Sequence, residues 1–173
     1  MSYIVVSIFD HEDDAGNVHN FLRDANLIDL NDSAVVYKDK SGKVHIKNET
    51  YLGKRVGTLG GGMLGLLIGG VLFPVGGLVI GAVAGRLIGK KVSADIDQGF
   101  IKDVTSRLSP GNSALFVIVR GDTPQDALDT MKKYEGDVYY TSVPAETETQ
   151  LRQALSGFEG KSLEELDATG EGT

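Results

Sequence analysis

The chain has 173 residues, 41% of them hydrophobic, a formal net charge of −7 and no cysteine. That length holds one domain of ordinary size, or a small domain with an insertion. The acidic balance disfavours nonspecific nucleic-acid binding, and the lack of cysteine excludes disulfides, Cys-ligated zinc and thiol chemistry.

The opening residues, MSYIVVSIFDHEDD, have no basic n-region and turn acidic at Asp10. No signal peptide is therefore expected, and the bulk of the chain is expected in the cytoplasm. Tyr3 to Phe9 is a β-branched apolar run that predicts a buried strand. Asp10-His11-Glu12-Asp13-Asp14 supplies capping and dipole-complementing side chains, and Ala15, Val18, Phe21, Leu22 and Ala25 follow at helical spacing, so residues 12–25 are predicted as an amphipathic helix. Ser33–Lys38 and Lys43–Lys47 read as two strands joined by the turn Asp39-Lys40-Ser41-Gly42.

The middle of the chain is different in kind. Val56 to Gly89 spans 34 residues without an acidic side chain, and Arg86 is its only charge. Its glycines keep a step of four: Gly53, Gly57, Gly61, Gly65 and Gly69, then Gly77, Gly81, Gly85 and Gly89. Phe73-Pro74-Val75-Gly76 interrupts the two series, because proline removes a backbone donor and breaks a helix. The expectation is a hairpin of two short helices, each with a glycine seam. Residues four apart share a helix face, and a seam without side chains lets another backbone approach closely. Each interior glycine costs about 1 kcal/mol relative to alanine. A solvated helix would not carry so many, so Gly57, Gly61, Gly65, Gly69, Gly77, Gly81 and Gly85 are the expected packing positions. A flexible linker would be polar, whereas this stretch is filled with Leu, Ile, Val and Met.

Beyond the hairpin, Ile96, Phe100, Ile101, Val104 and Leu108 form a helical stripe over Asp95–Leu108, closed by Ser109-Pro110-Gly111. Ser113–Val119 (SALFVIV) is the most apolar strand. Asp122-Thr123-Pro124 marks a capped helix start, with Ala127, Leu128, Met131 and Tyr134 on the inner face. Asp137–Val143 is the last strand, and Pro144 opens a helix carrying Leu151, Ala154, Leu155 and Phe158. Strand, helix and strand thus occur twice, at 3–38 and at 113–143. Two such units forming one sheet with helices on one face predict an α+β, ferredoxin-like domain. The domain organisation is then residues 1–52 as its first half, 53–92 as the inserted glycine-zipper helical hairpin, 93–158 as its second half with a C-terminal helix, and 159–173 as an acidic flexible tail.

Membrane insertion is weighed by length and charge. The first arm, Val56 to Phe73, reaches about 27 Å and the second, Val75 to Ile88, about 21 Å, against a hydrocarbon core of about 30 Å. Both are short for independent spans. Lys54 and Arg55 before the hairpin, with Arg86, Lys90 and Lys91 at its end, nevertheless fit head-group contacts on one side of a bilayer. A hairpin buried between subunits of a soluble oligomer accommodates the same residues as a solvated rim.

Chemistry is sparsely encoded. Gly60-Gly61-Gly62-Met63-Leu64-Gly65 matches the letters of a dinucleotide loop, but nothing between Glu49 and Asp95 is acidic, so the ribose partner is missing. Gly89-Lys90-Lys91 lacks the hydroxyl residue and the earlier glycine of a phosphate loop. His11, Glu12, Asp13, Asp14 and His19 are a dense set of potential metal ligands that read better as caps. His45 alternates with Val44 and Ile46 and is expected to point outward. Ser7, Ser33 and Ser113 have no elbow or neighbouring base, and Tyr37, Tyr139 and Tyr140 fit a sheet core or edge. No catalytic, cofactor or metal residue is assigned, and an enzyme is not expected.

The order of features, with ANLIDLNDSAVVYKDKSGKVHIK, the glycine hairpin and DQGFIKDVTSRLSPGNSALFVIVRGDTPQDALDTMKKYEGDVYYTSVPAETETQLRQAL, resembles a bacterial family of predicted membrane proteins of unknown function. A looser likeness, carried by IVVSIFDHEDDAGNV and SAVVYKD beside a glycine-rich hairpin, is to bacterial general-stress proteins. The resemblance implies membrane association, no established activity and no catalytic residues to transfer; Arg86 and the short arms depart from an ordinary two-span pattern. The functional expectation is a non-enzymatic, membrane-associated homo-oligomeric scaffold or stress-related protein at the inner membrane, with itself and lipid as partners and no nucleic acid. The alternatives are a soluble homo-oligomeric shell or ring with the hairpin buried between subunits and, on fold analogy alone, a small-ligand sensor.

Overall fold

The computed structural model describes residues 1–27, 33–47, 72, 95–121 and 124–149. The predicted hairpin, apart from Leu72, the tail 159–173 and the cap at Asp122 lie outside them. Among the described residues five strands and three helices follow in the order β1 (Ser2–Phe9), α1 (Asp14–Asp24), β2 (Ser33–Lys38), β3 (Val44–Lys47), α2 (Gln98–Arg107), β4 (Ser113–Arg120), α3 (Gln125–Met131) and β5 (Asp137–Val143). Residues 145–149 are also helical. The fold is mixed α+β: one sheet, antiparallel throughout, in the order β3-β2-β4-β1-β5.

The two most apolar sequences take the centre. β4 pairs with β1 from Ser2↔Arg120 to Phe9↔Ser113 and with β2 from Ser33↔Val117 to Tyr37↔Ser113. β1 pairs on its other side with β5, from Ser2↔Val143 to Ile8↔Asp137. Because side chains alternate along a strand, each central strand feeds two cores. Val5, Phe9, Val35, Leu115 and Val117 pack with Ala15 and Leu22 of α1 and Ala127, Leu128 and Met131 of α3. Ile4, Val6, Ile8, Ala34, Val36, Ala114, Phe116 and Ile118 pack with Ile96, Phe100, Val104 and Leu108.

This division corrects the expectation that the helices share one face. α1 and α3, the crossovers of the two strand–helix–strand units, do share a face; α2 lies on the other. The reason is in the strands: SALFVIV and YIVVSIF are apolar at consecutive positions, so both faces of the sheet must be shielded from water. The α2 stripe does this with a step of four, Ile96, Phe100, Val104 and Leu108 being 2%, 6%, 0% and 1% exposed. Asp97 caps the helix by accepting the Phe100 N–H at 2.7 Å.

Local signals also shifted at α1. The acidic run was expected to cap it, yet Asp13 stands at the N-cap in helical conformation without a side-chain cap bond. The hydroxyl of Ser113, from β4, accepts the Ala15 N–H at 3.0 Å and itself donates to the His11 carbonyl. A strand thus caps the helix that lies across it. α3 is shorter than its pattern, ending at Met131, and the chain turns through Tyr134 into Gly136.

Candidate functional site

None of Gly57, Gly61, Gly65, Gly69, Gly77, Gly81 and Gly85, nor Lys54, Arg55, Arg86, Lys90 and Lys91, falls among the described residues. The structure does describe the places where the glycine-rich segment leaves and rejoins the domain, and one residue within it. β3 runs antiparallel to β2 and finishes at Lys47, at the end of the sheet where β1 starts and β4 and β5 finish. The chain returns at Asp95, whose carboxylate accepts a hydrogen bond from the fully buried Thr147 hydroxyl at 2.9 Å. Ser2 donates to Glu148 at 2.8 Å, and Arg120 lies 4.0 Å from the same carboxylate. Both roots therefore emerge at one end of the sheet, and polar contacts fix the returning root against residues 145–149.

Leu72 is the residue within. It precedes the Phe73-Pro74 break by one position, is 6% exposed, and belongs to the same apolar cluster as Phe100, Phe116 and Val36. Burying a leucine side chain contributes about 1.5–3 kcal/mol, enough to matter to a small domain.

The opposite end of the sheet carries a polar clamp. Arg107, in the last turn of α2, donates through Nη2 to Asp10 at 2.8 Å and through Nε to Asp137. The guanidinium hydrogen bond and charge hold the Asp10 carboxyl below its ordinary range, and the two carboxylates push the arginine up in turn. Nearby, Asp39 accepts from the Ser41 hydroxyl at 2.6 Å, the Ser41 N–H at 2.9 Å and the Lys43 N–H at 3.0 Å, and bonds His45 at 2.7 Å. These donors, Ser41 and His45 foremost, hold its carboxyl far below the usual range. His45 stacks on Tyr37 with ring centroids 4.7 Å apart, so it is a turn-closing residue rather than a plain outward polar one.

The acidic–histidine set is dispersed. The helix begins at Asp14, leaving Glu12 ahead of it, while His19 is 2% exposed and shares a 3.0 Å hydrogen bond with Ser33. Among the described residues no three His, Cys, Asp or Glu side chains come together to hold a metal ion, and no helix is long and apolar enough to cross a membrane. Arg107 and Ser113 escaped sequence reasoning because their partners are remote: Asp10 lies 97 positions from Arg107, and His11 lies 102 from Ser113.

A family model described as a protein of unknown function, DUF1269, matches residues 58–156, which takes in all of the Val56–Gly89 stretch but its first two residues and everything on through β5. No curated protein and no solved structure matches the chain. Because the matched stretch is more than half of the sequence, the chain belongs to the DUF1269 family.

Proposed function

We propose that this protein is a non-enzymatic homo-oligomeric scaffold, in which a ferredoxin-like domain presents a glycine-stepped hairpin for close packing against other copies. The strand order β5-β1-β4-β2, with α1 and α3 as crossovers on one face, supports the ferredoxin-like reading, and β3 is then an addition at the edge. The observation that carries the assembly reading is Leu72. In a bilayer-inserted hairpin it would stand at the far end of the first arm, about 24 Å from Val56. Its burial in the α2-side core instead favours a hairpin held against protein, with the glycine series left for mating between subunits.

A second reading, assembly in or on a bilayer, is favoured by the charge pattern. Lys54, Arg55, Lys90 and Lys91 flank a stretch without acidic residues, and Arg86 stands near its end, which suits anionic head groups. One experiment separates the two: expression without detergent, high-speed sedimentation, alkaline carbonate extraction, and sizing of the soluble fraction. The scaffold reading expects a large uniform soluble particle that breaks down when Gly61 and Gly65 are both replaced by Leu. Retention in the carbonate-washed pellet would transfer the assembly to the membrane. A soluble monomer would defeat both readings.

A further inference from the structure

The two outer strands of the sheet differ in how they are protected. β3 is four residues long and bordered by Lys43 and Lys47, the short and charged form in which natural edges resist pairing. β5 is seven residues, DVYYTSV, with no proline and a single charge, Asp137, at its start. Among the described residues no strand lies beyond it.

The ladder fixes which groups β5 presents. Gly121 N–H donates to Met1 C=O, and Lys38 N–H to Asn112 C=O. Backbone groups of an antiparallel strand alternate sides, so odd residues of β1 bond β4 and even ones bond β5. The partners of those even residues, at 137, 139, 141 and 143, are turned inward. Val138, Tyr140 and Ser142 therefore aim their N–H and C=O groups away from the sheet. Tyr140 is also 56% exposed, on the face that carries α1 and α3.

We propose that β5 is a homodimerisation edge, on which the β5 of a second copy pairs antiparallel about a two-fold axis at Tyr140. In that register Tyr140 faces Tyr140 of the second copy, and Val138 faces Ser142 in both directions. Every outward backbone group of the strand then gains a partner, which shifts of two residues in either direction do not achieve. Asp137 meets Val143 instead of its own copy, so no like charges stand opposite each other. The two Tyr140 rings come together on one face, where aromatic pairs prefer an offset or edge-on contact. The sheet becomes continuous over ten strands, and the pairing does not rest on the glycine seams.

The symmetry supplies the test. Only the residue on the axis faces itself, with a Cα separation of about 5.5 Å, inside disulfide reach. Two Ser142 positions would be about 14 Å apart along the strands. The full-length chain has no cysteine, so Tyr140→Cys and Ser142→Cys are each oxidised with diamide and run on a non-reducing gel. A crosslinked dimer is expected for Tyr140→Cys and its loss for Ser142→Cys. Adding Ser142→Pro to Tyr140→Cys removes one outward donor without touching the β1 ladder, and should abolish the crosslink. Adding Gly61→Leu and Gly65→Leu should leave it unchanged, which separates this edge from hairpin assembly. Absence of the Tyr140→Cys crosslink, or equal crosslinking of Ser142→Cys, would overturn the proposal.

Discussion

Gly136 shows how a single side chain decides the packing of β5 on β1. A methyl group there would come within 2.4 Å of Ser7 Oγ, 2.8 Å of Phe9 Cε1 and 3.1 Å of the Ile8 carbonyl. The serine can rotate, but the strand carbonyl and the buried phenyl ring have nowhere to go. Gly136→Ala is therefore expected to destabilise the domain by about 1–3 kcal/mol, the usual cost of overfilling a packed site. Urea unfolding would check it, with a lower midpoint at unchanged slope; an unchanged midpoint would mean that the approach of Gly136 to β1 has room to spare. Ser113 makes the same point from the polar side, since one buried hydroxyl serves the Ala15 N–H and the His11 carbonyl together.

Among the elements, α2 and its two ends separate what the sequence discloses from what it does not. The stripe Ile96, Phe100, Val104 and Leu108 is legible because helical periodicity is local, and Asp97 is a recognisable cap. The face that stripe covers is not local information; it follows from strands apolar on both sides, a pattern also compatible with a second layer from elsewhere. The clamp at its C-terminus was invisible, since Arg107 joins residues from β5 and from the turn after β1. Its worth is set by pH. A carboxylate whose folded pKa lies below its unfolded value, about 3.8, stabilises the fold above that pH, and the contribution disappears as pH falls through the folded value. Asp10 and Asp39 both have this sign. The urea midpoint should thus fall as the solution is acidified below about pH 4. Arg107→Gln should lower the midpoint at pH 7 and make the acid decline shallower, because Asp10 then titrates near its unfolded value. An acid limb identical to the parent's would show that the clamp is loose in solution. Asp10 is exposed and Asp39 only half-buried, so the effect is small and salt-sensitive.

For the whole molecule, the open question is how a glycine-rich segment of this size coexists with a sheet already covered on both faces. Leu72 joins the two parts. The cluster that holds it also holds Val36 at 0% exposure, Phe116 at 0% and Ala34 at 2%, from β2 and β4, together with Ile4, Val6 and Ile8 of β1. The α2-side core therefore spans β1, β4 and β2, and Leu72 contributes to it. Leu72→Ala removes a buried side chain from the domain core and is expected to lower its unfolding free energy by about 2–5 kcal/mol. Hydrogen exchange should then quicken at Val36 and Phe116, strand positions far from residue 72 in sequence. A hairpin that leaves the sheet for a bilayer makes the opposite prediction: the domain's stability and exchange are unchanged by Leu72→Ala, because residue 72 no longer touches it. The measurement is made on the full chain, first in detergent-free buffer and then with anionic vesicles. Destabilisation in buffer that vanishes with vesicles would identify Leu72 as the latch between a protein-held and a lipid-held hairpin, since a ligand shifts such an equilibrium only by binding one state better than the other.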